Sequence, residues 1–144
     1  MAFPDPKPGL VISYGYLWHR EYRKGLEEGR KARPCVIVIS AVIASDGETI
    51  VRVAPITHSQ PDDPSLALEI SAAVKRHLGL DDERSWIILD EFNEFIWPGF
   101  DLQPVSGSPG RIAYGFLPPA LFNRMLTVVR NLWRSGRGKS TRRD

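Results

Sequence analysis

Two β-branched runs on either side of one short turn constrain this sequence more than anything else in it. "PCVIVISAVI", Pro34–Ile43, and "TIVRVAPIT", Thr49–Thr57, flank a turn whose Asp46-Gly47 pair is a hairpin signal. The first run is almost continuously apolar and reads as a central strand buried on both faces. The second is its antiparallel return, with Pro55 expected at its end or at a bulge.

The flanking segments are shorter. Prolines 4, 6 and 8 make an extended entry arm, and "LVISY", Leu10–Tyr14, reads as a strand. Gly15–Ala32 is a long charged connection in which Gly25 and Gly29 limit any helix to a turn or two. After a Pro- and Asp-rich loop, "LALEI" is a strand candidate, and "SAAVKRHLGL" is a short helix capped by Ser71 and stopped near Gly79. "SWIILDEF", Ser85–Phe92, reads as one strand, and "IAYGF" as another. Pro118-Pro119 opens a helix whose packing stripe is Phe122, Met125, Leu126, Val129, Leu132 and Trp133. The expectation is one strand-dominated domain over 1–134, with a short internal helix and a C-terminal helix, followed by a disordered basic tail over 135–144.

A chain of 144 residues suits a single domain with a real core. No apolar stretch approaches the roughly 20 residues of a membrane span, and the first residues carry no export-signal pattern. One cysteine, Cys35, excludes an internal disulfide and fits the cytoplasm. The net charge of +2 is unevenly placed: His19–Arg33 sums to +3, Arg130–Asp144 to +5, and the rest to −6. Two basic blocks on an acidic body suit a polyanionic partner, although solvated charge is the commoner reason for such runs.

Several motifs fail. "GRGKST" lacks the first glycine of a phosphate loop, and "SGSPG" lacks the strand–turn–helix context of a nucleophile elbow. The three histidines and one cysteine show no zinc spacing, and Asp90, Glu91 and Glu94 read as a solvated acidic turn. No metal or other cofactor is expected.

Two motifs survive. "GRKARPCVIVIS" starts the central strand at Arg33, and "VRVAPITHSQP" ends the returning strand at Thr57, His58 and Ser59. In an antiparallel hairpin the start of one strand lies beside the end of the other, so Arg33 and Thr57 should be neighbours. Separately, Arg33 reads as a surface arginine and Thr57 as a turn cap. Together they suggest a site.

In the order and spacing of "PGLVISY", "EEGRKARPCVIVIS", "APITHSQP" and "SWIILDEF", the sequence resembles the PemK/MazF family of toxin endoribonucleases over Gly9–Trp133. The resemblance implies an α+β, mainly β fold: a small SH3-like barrel of antiparallel strands. It also implies a homodimer, a cognate antitoxin protein, and metal-independent cleavage of single-stranded RNA. By position, Arg33 matches the family's catalytic arginine and Thr57 its catalytic threonine. Glu28 falls where a loop glutamate is often found, and Asp90 where some members have an active-site aspartate. The chain departs from the pattern at Ile88, where some relatives carry arginine. It has Asp90-Glu91 for Asp-Gln, and His58 is inserted between Thr57 and Ser59. Toxins of related fold that poison gyrase by contact leave a non-catalytic protein-binding role open. An inactive homologue that only binds nucleic acid is also open.

Such cleavage uses the 2′-hydroxyl as nucleophile and needs a base, charge stabilisation at phosphorus and an acid. Arg33 suits two phosphate oxygens, and Thr57 can donate to the same group. His58 is either the proton-transfer group or a polar loop residue, and His19 is a second candidate base. Arg20, Arg23, Lys24, Arg30, Lys31 and Ser59 are candidate RNA contacts. Tyr16, Trp18 and Tyr22 lie among them and could stack unpaired bases; Tyr22 is the expected exposed platform, and Trp18 is expected in the core or at a dimer interface.

Overall fold

The computed structural model describes residues 3–23, 25, 31–43 and 45–143. Eight strands and three helices follow in the order β1 (Leu10–Tyr14), α1 (His19–Arg23), β2 (Arg33–Val42), β3 (Thr49–Thr57), β4 (Ala67–Ile70), α2 (Ala72–Leu78), β5 (Ser85–Ile88), β6 (Glu91–Ile96), β7 (Ala113–Phe116), α3 (Pro119–Arg134) and β8 (Lys139–Arg142). The strands run β4-β5-β3-β2-β1-β7, with β6 also paired to β3 and β8 beyond it. Neighbours are antiparallel except β6 and β8, which are parallel. The result is a mainly β, α+β fold: a sheet curled into a half-closed barrel with one short internal helix and one C-terminal helix.

Strand alternation divides the interior into two apolar layers. Leu10, Ile12, Tyr14, Cys35, Ile37, Val51, Val53 and Phe95 pack together on one face. Val11, Val36, Val38, Ala54 and Ile56 on the other face meet Leu121, Met125, Val129 and Leu132 of α3. Burying each of those four helix side chains contributes about 1.5–3 kcal/mol. Ser71 caps α2 by accepting from the Val74 N–H, and Gly79 ends it in the left-handed conformation at φ 71°.

The hairpin is the scaffold of the molecule. Cys35 pairs with Pro55 and Ile37 with Val53; then one extra β2 residue forms a bulge, beyond which Ile39 pairs with Arg52. The other edge of β3 is shared. Ile50–Val53 pair with β6, whereas Ile56 and Thr57 pair with β5.

Four expectations are corrected. Pro34–Ile43 is not buried throughout: Cys35–Val38 are buried, but Ile39 and Ala41 are exposed on the face that α3 covers only nearer Val36, and Val42 is exposed on the opposite face. Pro55 is buried inside β3, opposite Cys35. Ser85–Phe92 is two strands, broken at Leu89-Asp90 as the chain passes from one stretch of β3's edge to another. The inward stripe of α3 is Leu121, Met125, Val129 and Leu132, with Phe122, Leu126 and Trp133 only partly buried.

The tail also differs from the expectation of disorder, since β8 lies in parallel register with β6 from Glu91↔Lys139 to Glu94↔Arg142. Arg143 anchors it at 6% exposure. Its guanidinium donates to the Gly15 carbonyl and Asn93 Oδ1, each at 3.0 Å, and to Asp101 Oδ2 at 2.9 Å. A buried guanidinium with acceptors on three segments holds a strand that has no apolar anchor.

Candidate active site at the mouth of the hairpin

Carrying the near-half register two residues past Cys35↔Pro55 sets Arg33 across from Thr57. Both line one open recess of about 230 Å³, together with Lys31, Pro34, His58, Lys75, Asp81 and Ser85. Arg33 also borders a second recess with Trp18, Arg20 and Lys31, and Thr57 borders a third with Arg20, Ser59 and Glu91. The pair therefore sits where three hollows meet.

Arg33 is held by stacking. Its guanidinium lies 5.2 Å from the Trp18 ring centroid, and that of Arg20 lies 4.9 Å from the same ring. Among the described residues no carboxylate pairs with Arg33, and its buried Nε has no hydrogen-bond partner. A guanidinium supported by an aromatic face keeps its donors for an anion. Thr57 Oγ1 accepts from the Ser59 N–H at 3.1 Å, so the turn-cap reading holds and the hydroxyl proton is left for another acceptor.

His58 stands beside this pair. Its Nε2 is 2.8 Å from Asp81 Oδ2, and its Nδ1 is 3.7 Å from Glu83 Oε2. Asp81 Oδ1 accepts from Lys75 Nζ at 2.6 Å. The ammonium also donates to Ser85 Oγ at 2.7 Å and to the Glu83 carbonyl. All three of its N–H bonds are thereby used, which is what a lysine at 4% exposure requires. Burial works against ionisation of Asp81. The hydrogen bond and charge of Lys75, the Glu83 N–H and the nearby His58 outweigh it, and the carboxyl sits below its ordinary value.

One nitrogen of His58 and oxygens of Asp81 and Glu83 lie within 4.8 Å of one another, the arrangement a cation would need. The Lys75 ammonium already occupies Asp81, however, and its charge competes with any metal there. Asp90, Glu91 and Glu94 do not form a cluster of this kind. Glu91 Oε1 accepts from the Tyr16 hydroxyl at 2.9 Å and the His19 N–H at 3.0 Å, while Glu94 pairs with Arg52 at 2.9 Å.

Other expected site residues are placed unevenly. Arg20, Lys31 and Ser59 line the hollows, Arg23 is on α1, and Tyr22 is 52% exposed. Glu28, Lys24 and Arg30 lie outside the described residues. Asp90 lines none of the three recesses formed by the described residues. Its carbonyl accepts from the Lys139 N–H at the β5–β6 bend, and Glu91 takes the groove wall instead. Tyr16 cannot stack bases, since it is buried with its hydroxyl on Glu91; burial first, and then the same carboxylate, push that hydroxyl's pKa upward. His19 faces the tail, with Nδ1 3.4 Å from Thr141 Oγ1. Lys75 and Asp81 were missed from sequence, and Glu91 was read as part of a solvated acidic turn. The available signal was that Lys75 shares a helical face with Leu78, three residues on.

No described helix is long and apolar enough to cross a membrane. The sequence matches no protein-family model and no curated protein.

Proposed function

We propose that this chain is a cytoplasmic endoribonuclease of the PemK/MazF kind, the toxin of a type II toxin–antitoxin pair, cleaving single-stranded RNA by attack of the 2′-hydroxyl on the adjacent phosphorus. The observation that carries the reading is that Arg33 and Thr57, 24 positions apart in sequence, line one open recess with His58. Arg33 binds two phosphoryl oxygens and stabilises the charge that builds on them, and Thr57 donates to the same group. His58 supplies the proton-transfer group. Lys31 and Arg20 extend the positive surface along the strand, and exposed Tyr22 offers a face for an unpaired base. An acidic antitoxin would find the same cationic hollows.

The reading includes a homodimer. Ile39, Ala41, Ile50 and Ile96 lie on the face that α3 covers elsewhere, and here it is bare: all are exposed except the half-buried Ile50.

The test is single-stranded RNA incubated with purified protein in excess chelator. Cleavage is expected to persist, and Arg33→Ala is expected to abolish it while keeping its far-UV circular dichroism and melting temperature. A second reading, an inactive homologue that only binds nucleic acid, is favoured by the position of Asp90 outside the recess. Intact RNA with measurable RNA binding would decide for it.

A further inference from the structure

A carboxylate can only accept hydrogen bonds, so the 2.8 Å contact between Asp81 Oδ2 and His58 Nε2 requires the proton to reside on Nε2. The other nitrogen of a neutral His58, Nδ1, then carries the lone pair; the exposed Glu83 Oε2 stands 3.7 Å from it, beyond hydrogen-bond distance, so Nδ1 is left without a protein partner of its own among the described residues. Asp81 is not free to turn away. Its Oδ1 is gripped by buried Lys75 at 2.6 Å and by the Glu83 N–H at 3.1 Å. Lys75 is in turn locked by Ser85 at the start of β5 and by the Glu83 carbonyl. The chain Lys75–Asp81–His58 thus runs from the inside of α2 to the wall of the recess that holds Arg33 and Thr57.

We propose that Asp81 and Lys75 are positioning residues that select the tautomer of His58 with a basic Nδ1, making His58 the group that takes the proton of the attacking 2′-hydroxyl. The proposal rests on the ribonuclease reading and deepens it. In the step, the O2′–H bond breaks as the O2′–P bond forms, and the proton passes to Nδ1. The P–O5′ bond then breaks. The departing 5′-oxygen takes a proton from water, and the imidazolium returns one to water. The products are a 2′,3′-cyclic phosphate and a 5′-hydroxyl, with no net proton consumed and no oxidant or reductant involved. Arg33 and Thr57 hold the phosphoryl oxygens throughout.

Asp81→Asn separates tautomer selection from folding. An asparagine keeps an oxygen for Lys75 but turns its amide N–H toward Nε2, which must then present its lone pair, so the imidazole proton moves to Nδ1. The expected outcome is a fall in kcat of about 10²–10³-fold with KM changed less than about twofold, the scale of a lost general base. Nitrogen-15 NMR of the imidazole should report the Nε2–H tautomer in the wild type and the Nδ1–H tautomer in Asp81→Asn. His58→Gln should lose as much activity as the double variant with Asp81→Asn, because both act through one proton. Lys75→Met, read by the same two measurements, should loosen the tautomer preference if it folds. Undiminished cleavage by Asp81→Asn, or an unchanged tautomer, would overturn the relay while leaving the ribonuclease reading intact. RNA left whole by the wild-type protein would overturn both.

Discussion

At the scale of single residues, the site is organised around one lysine whose every donor is spent. An ammonium at 4% exposure gains stability from an ionised Asp81 beside it, while Ser85 and the Glu83 carbonyl accept its other two N–H bonds. Because Asp81 is held below its ordinary value of 3.8, the stability it contributes is fully present above that pH and is lost as pH falls through the lowered value. The melting temperatures of wild type and Asp81→Asn should therefore differ at pH 7 and converge in acid below about pH 3.8. The carboxyl is half exposed, and solvent screening keeps the effect small. Arg33 and Thr57 were legible in the sequence because a hairpin register ties them together whatever the rest of the chain does. Lys75 and Asp81 were not, because only the docking of α2 onto β5 tells a buried lysine from a solvated one. Glu91 and Asp90 exchanged places for a similar reason: a break at Leu89-Asp90 reverses which of two adjacent carboxylates faces the groove.

Among the elements, β8 is the least expected. "KSTR" has no strand-forming apolar residue apart from the methyl of Thr141, its ladder partners are Glu91–Glu94, and Arg143 just beyond it is held by Gly15, Asn93 and Asp101, all remote in sequence. Nothing local could have announced it. Its effect reaches the site, because β8 lies against α1 and Thr141 meets His19, while α1 carries Arg20 into the hollows. Glu21 caps that helix by accepting from the Trp18 N–H at 3.2 Å, and Glu91 takes the next free N–H, that of His19. Arg143→Ala should cost about 1.5–3 kcal/mol in urea unfolding, since it removes the charge-assisted hydrogen bonds from the guanidinium to Gly15, Asn93 and Asp101. It should also speed amide exchange across His19–Arg23 more than across α3. Equal protection of α1 in variant and wild type would show that β8 does not brace it.

For the whole molecule, the two ends of the β2–β3 hairpin do different work. The open end gathers Arg33, Thr57 and His58, and the far end carries the bare strip of Ile39, Ala41, Ile50 and Ile96. The proposed dimer should form through that strip. Ile39→Lys should convert a two-chain species into a single chain by light scattering while the far-UV spectrum is kept. A wild-type protein that elutes as one chain at micromolar concentration would contradict the dimer. Fold class was legible from strand periodicity and turn chemistry, because those are local. The parallel edge and the division of Ser85–Phe92 between two partners of β3 depend on long-range pairing that no short window contains.

The bulge between Ile37 and Ile39 insulates these two ends from each other. Lineages descending from this chain can lengthen, trim or rewrite the turn around Asp46-Gly47 and acquire new companions there. Cys35↔Pro55 and Ile37↔Val53 lie on the mouth side of the bulge, and it is their register, not the length of the turn, that sets Arg33 across from Thr57.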